Sequence, residues 1–168
     1  MIKRRISTII MILIGFLLQT TVFHAFKLAD VVPNILLILT VCYAYMRGRT
    51  SGLFTGFFCG FLLDMVFGTV IGLYAFIFMS IGFVCGHCQK VYFTDNYILP
   101  CVLVGISDFV YGIYYFVTEF LVRGRLNIGF ALTARILPEM IYTMILSVLV
   151  FHLLNLLERF LAGKREEA

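Results

Sequence analysis

The sequence predicts an all-α integral membrane protein built as a bundle of six transmembrane helices. Hydrophobic residues make up 62% of the 168 positions and charged residues 13%, whereas soluble domains are roughly 25% charged. The mean hydropathy is +1.03. Because each bilayer crossing needs about 20 apolar residues, the chain has room for about six crossings and no sizeable soluble domain. This composition excludes an ordinary soluble enzyme, a disordered chain and a disulfide-rich secreted module.

Apolar runs separated by polar or glycine-containing breaks predict six helices in a single transmembrane domain over residues 1–168. The six segments are 6–26, 31–46, 51–67, 70–85, 98–117 and 136–157. Their apolar runs are nearly continuous, which favours helices over the alternating strands of a barrel. The first segment follows a basic N-terminus and has no small-residue cleavage site after it. It is therefore interpreted as an uncleaved transmembrane helix rather than a signal peptide.

The breaks between segments have local causes. Asp30 and Pro33 lie where the second helix is expected to begin, since both residue types suit a helix N-terminus. Gly48 turns the chain between two arginines, and Gly68 with Thr69 separates the third and fourth segments. Polar stretches at 87–96 and 123–127 separate the remaining helices.

Basic residues predict the orientation of the bundle. The net charge of +4 is interpreted as a membrane-orienting signal and not as a nucleic-acid surface, because no basic run is interleaved with aromatic residues. With the N-terminus in the cytoplasm, nine basic residues lie inside and four outside, so both termini are predicted to be cytoplasmic. The inside residues are Lys3, Arg4, Arg5, Arg47, Arg49, Lys90, Arg159, Lys164 and Arg165, and the outside residues are Lys27, Arg123, Arg125 and Arg135.

A four-residue glycine repeat is the most regular feature of the chain. The glycine ladder consists of Gly48, Gly52, Gly56, Gly60, Gly68 and Gly72, and Asp64 is the one non-glycine on this step. Residues four apart share a helix face, so the ladder predicts a groove without side chains along the third segment. Two interpretations stay open: close packing within the bundle, or a docking surface for another membrane protein.

Four ionisable residues fall within apolar segments, where such groups usually face the bundle interior. Asp64 lies near the outer end of the third segment. It is either a functional intramembrane residue or a cap of the following turn or helix. Glu139 follows Pro138 in an ordinary helix start, and His152 lies close to the inner end of the last segment.

Among these residues, Asp108 has the position that most needs an explanation. It lies about ten residues into the fifth segment, which places it at a depth of roughly 15 Å. A carboxylate at mid-bilayer must be protonated, hydrogen-bonded or paired. We therefore hypothesise that Asp108 organises a polar contact inside the bundle, although the sequence alone identifies no partner for it.

Nothing in the sequence favours catalysis, a metal or a cofactor. Cys85-Gly86-His87-Cys88 matches the CxxC pattern of thiol oxidoreductases, but here it ends a membrane helix on the predicted cytoplasmic, reducing side. The five cysteines lie within apolar runs, and most are interpreted as packing residues. As a zinc site, this motif lacks a second ligand cluster. The protein is therefore expected to be non-enzymatic.

Several short motifs together resemble the MreD family of bacterial rod shape-determining membrane proteins. Pro33-Asn34 before the apolar run 35–39 is similar to the start of that family's second helix. Residues 52–64 resemble its glycine-rich helix ending in Gly-x-x-x-Asp, and residues 72–76 resemble the start of its next helix. Length, helix count and the basic N-terminus also agree. The specific part of the resemblance is residues 33–76, and it does not extend to Asp108 or the cysteine pair.

The resemblance implies a role in the cell-elongation complex of the bacterial cytoplasmic membrane. There the chain would join MreC and MreB in directing side-wall peptidoglycan synthesis by RodA and a penicillin-binding protein. The resemblance also implies an architecture similar to the substrate-binding subunits of energy-coupling-factor importers. Partner or packing candidates are Pro33, Asn34, Gly52, Gly56, Gly60, Asp64, Gly68, Gly72 and Asp108.

Two other functions are alternatives to this one: an importer subunit and a membrane thiol enzyme. A substrate-binding subunit of a vitamin-type importer needs a pocket with several convergent polar groups, whereas the intramembrane polar residues here are sparse. The first helix also lacks the Ala-x-x-x-Ala pattern of such subunits. A membrane thiol enzyme would need a reactive Cys85 or Cys88. The sequence does not indicate whether the chain forms homo-oligomers.

Overall fold

The described part of the chain is helical, which confirms the all-α prediction for these residues. A computed structural model describes residues 2–22, 32–68, 72–91, 98–123 and 137–163, and they contain six α-helices and no strand. A π-helical turn, Leu18–Val22, follows the first helix, and a 3₁₀ turn, Gly86–Val91, follows the fourth. The helices are α1 (Ile2–Leu17), α2 (Ile35–Arg47), α3 (Arg49–Phe67), α4 (Leu73–Cys85), α5 (Ile98–Arg123) and α6 (Leu137–Gly163).

Three of these helices are long and apolar enough to cross a membrane. The spans are Arg49–Phe67 in α3, Ile98–Thr118 in α5 and Leu137–Glu158 in α6. The other helices are apolar but shorter, and α2 and α4 have 13 residues each. Thirteen residues rise about 20 Å, compared with a hydrocarbon core of about 30 Å.

Helix α2 lies at the centre of the bundle. It contacts each of the other five described helices, and every residue from Ile35 to Tyr45 is buried. A helix without a polar face is typical of such a position. Within this run, Thr40 Oγ1 donates to the carbonyl of Leu36 at 2.9 Å, so this hydroxyl is satisfied inside the helix. The centre of the protein is therefore filled by helix.

The start of α2 differs slightly from the predicted one. The helix begins at Ile35 rather than near 31, because Asn34 is its N-cap and Pro33 precedes the cap. The Asn34 side chain accepts a hydrogen bond from the Leu37 amide at 3.2 Å. At the other end, Gly48 joins α2 to α3 with a φ of 90°, a conformation that L side chains rarely adopt.

Most of the basic residues that predict the orientation have no described side chain. Side chains are described for Arg47 and Arg49, and both lie at the junction of α2 and α3. Asp30 and the loops at 92–97 and 124–136 lie outside the described part of the chain. The basic residues without a described side chain are Lys3, Arg4, Arg5, Lys27, Lys90, Arg123, Arg125, Arg135, Arg159, Lys164 and Arg165.

Candidate functional site

The glycine ladder lies directly against α4. Gly52, Gly56 and Gly60 are buried, and α3 and α4 run antiparallel with their backbones in contact. A Cβ atom at Gly56 would lie 2.7 Å from the carbonyl carbon of Phe78, and one at Gly60 would lie 2.6 Å from the Cα of Ala75. We name this contact between α3 and α4 the glycine seam.

The seam is formed from both helices. A Cβ atom at Gly52 would overlap the carbonyl oxygen of Gly82, and a Cβ atom at Gly82 would overlap that of Gly52. Near the start of α3, a Cβ atom at Gly86 would lie 2.5 Å from the Cα of Arg49. The four-residue spacing therefore repeats on both partners, and the close approach expected from the ladder occurs within the chain. The structure thus shows the intramolecular interpretation of the ladder.

Asp64 lies at the end of the seam where α4 begins. Its carboxylate accepts hydrogen bonds from the amides of Tyr74 at 3.1 Å and Ala75 at 2.8 Å. A carboxylate at a helix N-terminus satisfies unpaired amides and interacts favourably with the helix dipole. Because Asp64 belongs to α3 and the amides belong to α4, this bond sets the register of the two helices. It is the capping role that the sequence left open.

Gly68 and Gly72 of the ladder lie at the connection between these helices. Gly68 follows α3 and donates its amide to the carbonyl of Asp64 at 3.0 Å. Gly72 precedes α4 with a φ of 100°, a left-handed conformation in which a side chain would be strained. Its carbonyl accepts from the Phe76 amide at 3.0 Å. Both glycines therefore serve the connection rather than the seam itself.

Asp108 is buried and hydrogen-bonded between helices. It is 3% exposed, and the hydroxyl of Thr143 donates to its carboxyl group. The Thr143 oxygen in turn accepts from the backbone amide of Asn34 at 3.3 Å. These three residues join α5, α6 and the start of α2, and we name them the outer polar cluster after the predicted orientation. The other Asp108 oxygen, Oδ1, has no hydrogen-bond partner among the described residues.

The outer polar cluster brings together two predicted candidates, Asn34 and Asp108, through a residue that sequence reasoning missed. Thr143 is completely buried on α6. A lone threonine in an apolar helix carries no signal of its own, because threonine also bonds to its own helix in such segments. Pro33 directly precedes Asn34 in the sequence and is buried. It donates no backbone hydrogen bond, because proline lacks an amide hydrogen.

A second polar cluster lies at the opposite end of α2. Arg47 Nε donates to Glu158 Oε1 at 2.8 Å, and its guanidinium also hydrogen-bonds Thr8. The guanidinium carbon lies 4.7 Å from the ring centroid of Tyr43. This cluster joins α1, α2 and α6, and we name it the inner polar cluster after the predicted orientation. Arg47, predicted from sequence as an orientation charge, is thus also a packing residue. Its partner Glu158 was not among the sequence candidates.

The residues of the CxxC pattern are separated by the end of α4. Cys85 is buried, and its Sγ lies 3.3 Å from Ser107 Oγ on α5. Cys88 is partly buried in the 3₁₀ turn, and both thiols are free. Of the other ionisable residues, Glu139 lies in the first turn of α6 and His152 is exposed. Within the described ranges, no three histidine, cysteine or acidic side chains are placed to hold a metal ion.

The outward side of α3 carries large aromatic side chains. We name this surface, formed by Phe54, Phe57, Phe58 and Phe61, the aromatic face of α3. All four residues are exposed, and the rings of Phe57 and Phe61 stack with centroids 6.0 Å apart. One side of α3 is therefore occupied by the seam, and the other is free for lipid or another helix.

Comparison with known proteins assigns the chain to a family. The family model described as rod shape-determining protein MreD matches residues 2–161, which include the C-terminal half beyond the quoted motifs. No curated protein and no solved structure matches the chain significantly. The family match confirms the resemblance and favours the rod-shape function over the importer alternative. The chain belongs to the MreD family of rod shape-determining membrane proteins.

Proposed function

We propose that this protein is a non-enzymatic component of the bacterial cell-elongation complex in the cytoplasmic membrane. In this role it supports side-wall peptidoglycan synthesis and rod shape through helix contacts with MreC. Through MreC it would associate with MreB, RodA and a penicillin-binding protein. The family match over residues 2–161 carries this proposal.

The proposal includes a topology in which all six helices cross the membrane as one domain, with both termini cytoplasmic. The inner polar cluster supports it, because Thr8, Arg47 and Glu158 bring the first helix, the α2–α3 junction and the last helix to one end. The basic residues near both termini would lie at this same end, which the positive-inside rule assigns to the cytoplasm. We extend the proposal to the architecture of energy-coupling-factor importer subunits.

Short helices are compatible with this topology. Helix α2 has protein on every side, so its ends need not reach both surfaces of the hydrocarbon core. A bilayer also thins around short segments at modest cost. A reporter fused at the C-terminus tests the orientation: activity only inside the cell agrees with the proposal, and activity only outside contradicts it.

We place the MreC contact on the aromatic face of α3. The four phenylalanines follow a helical stripe, and large aromatic residues are common anchors of protein interfaces. The seam cannot serve as this contact because α4 covers it. The aromatic face therefore offers the exposed side of the helix that carries the family's glycine motif.

The function is tested by expressing the chain in rod-shaped bacteria depleted of their own MreD protein. Restored rod shape and co-purification with MreC are expected. The double variant Phe57→Ala with Phe61→Ala should lose MreC, while Ile145→Ala with Leu149→Ala, on the exposed side of α6, should retain it. Cells that stay round although the wild-type chain is in the membrane would contradict the proposal.

A further inference from the structure

Two aspartates of the described helices are equally buried but have opposite surroundings. Asp64 and Asp108 are each 3% exposed. Asp64 accepts hydrogen bonds from two backbone amides at the N-terminus of α4, a position that favours negative charge. The Asp108 carboxyl group accepts one bond, from the Thr143 hydroxyl, and its Oδ1 atom has no partner among the described residues. The second aspartate therefore lacks the donors that a buried carboxylate requires.

Positive charge does not compensate for the missing donors. Asp108 lies in the middle of the apolar span Ile98–Thr118. Among the described side chains, no lysine, arginine or histidine pairs with its carboxyl group. An ionised carboxyl group in such surroundings would be a buried charge with neither solvent nor a counterion. Groups in this situation avoid the penalty by binding a proton.

The titratable groups around Asp108 do not favour a negative charge there. Those facing this region are Tyr111 of the same helix, Tyr74 and Cys85 of α4, and Glu139 of α6. None of these side chains carries positive charge in any protonation state. The Tyr111 hydroxyl lies within electrostatic reach of both Asp108 and Glu139, so two acids share this end of the bundle. The start of α2 contributes Asn34, which does not titrate.

We infer that Asp108 is held as the neutral carboxylic acid in the folded protein. The proton removes the charge and leaves the Thr143 hydrogen bond in place. An unpaired oxygen of a neutral acid is also much less costly to bury than an unpaired oxygen of a carboxylate. The outer polar cluster is thus a proton-dependent contact, which joins α5 to α6 and α2 while Asp108 keeps its proton. This inference does not depend on the proposed function in cell elongation.

A proton held in this way makes the stability of the bundle depend on pH. Unfolding releases the carboxyl group into water, where it is ionised at neutral pH. The folded chain then holds one more proton than the unfolded chain, so stability falls as the pH rises. From about pH 6 to about pH 9, the unfolding equilibrium constant of the wild type should rise up to about tenfold per pH unit more steeply than that of Asp108→Asn. Asp64→Asn is the matched control and should keep the wild-type dependence.

The direct test is infrared spectroscopy of the full chain in lipid nanodiscs, with isotope-labelled aspartate to identify the aspartate bands. The chain has four aspartates, Asp30, Asp64, Asp95 and Asp108. At neutral pH we expect the carbonyl stretch of a protonated acid, which an ionised carboxyl group does not show. This band should disappear in Asp108→Asn, persist in Asp64→Asn, and be lost from the wild type as the pH rises.

Three results would overturn the inference. One is a wild-type chain with only carboxylate bands at neutral pH, which needs no variant to fold. Another is a protonated-acid band that persists in folded Asp108→Asn, because the proton would then belong to a different aspartate. The third is the same pH dependence of unfolding in the wild type and in Asp108→Asn. A chain that shows the Asp108 proton but does not restore rod shape would contradict the proposed function alone.

Discussion

Helix α4 contacts its two neighbours in different ways. Toward α3 the backbones touch, because glycines recur every four residues on the facing side. Toward α5 the facing positions carry larger side chains, such as Leu103 and Val110, and a groove remains between the helices. Both contacts are made by strongly apolar helices. The spacing of small residues, and not hydrophobicity, therefore decides whether two helices of this bundle close on each other.

The largest expected effect comes from adding side chains to the glycine seam. Gly56→Leu with Gly60→Leu should prevent folding, because each new Cβ would collide with the backbone of α4. Gly56→Ala alone should destabilise by about 1–3 kcal/mol, although alanine is normally the better helix former. Thermal unfolding and size-exclusion profiles in detergent measure both effects.

The matched control for the seam is Thr50→Leu. This residue is exposed on the same helix, so the added side chain meets no backbone. Its unfolding temperature should remain close to that of the wild type. If Gly56→Ala unfolds at or above the wild-type temperature, the backbone contact between α3 and α4 is wrong.

A smaller effect is expected where α5 is held by hydrogen bonds. Asp108→Leu and Thr143→Val should each destabilise by about 1–2 kcal/mol, since each leaves a buried partner unsatisfied. Their effects should not add in a double-mutant cycle, because both remove the same bond. Asp108→Asn keeps an acceptor oxygen and is the milder control. Strictly additive losses would contradict the bond between α5 and α6.

The cap between α3 and α4 is expected to contribute less. Asp64→Ala should destabilise by about 1 kcal/mol, because it exposes the Tyr74 and Ala75 amides at the start of α4. Hydrogen exchange at these two amides should accelerate, while exchange in the middle of α4 should change little. Asp64→Asn, which keeps one acceptor, should lie between the two proteins. Unchanged exchange in Asp64→Ala would contradict the capping role.

The smallest effect is expected at the edge of the groove. Val84→Ala removes exposed methyl groups, so the free energy of unfolding should change by less than about 0.5 kcal/mol. Ile81→Ala, one turn away on the buried floor, should cost about 2 kcal/mol or more. If Val84→Ala is as harmful as Ile81→Ala, then the groove is closed and its contrast with the seam disappears.

Features that depend on residues close together in the sequence could be predicted. Each of the six apolar segments overlaps a helix in the described ranges, because a long apolar run indicates a helix without fixing its ends. The four-residue spacing of the glycine ladder predicts close helix packing. Asp64 is close enough in sequence to the start of α4 to suggest that it caps this helix. Only the structure shows which helix packs against the ladder, because the four-residue spacing of the glycines does not indicate which helix contacts them.

The polar clusters could not be predicted. Asp108 meets Thr143, and Arg47 meets Glu158, across helices that are distant in sequence. Which residues meet depends on the rotation of each helix about its axis, and that rotation follows from packing against α2 on all sides. A threonine and a glutamate within long apolar helices give no indication of their partners.

The ion pair between Arg47 and Glu158 has a consequence for the order of synthesis. The two residues are 111 positions apart, and α6 is the last of the described helices to leave the ribosome. Arg47 therefore cannot form its ion pair with Glu158 until nearly the whole chain has been made. Since domains emerge from their N-terminal side first, arrival of α6 completes the inner polar cluster and surrounds α2 in the same step. Assembly of this bundle thus ends, rather than begins, with the pairing of its charges.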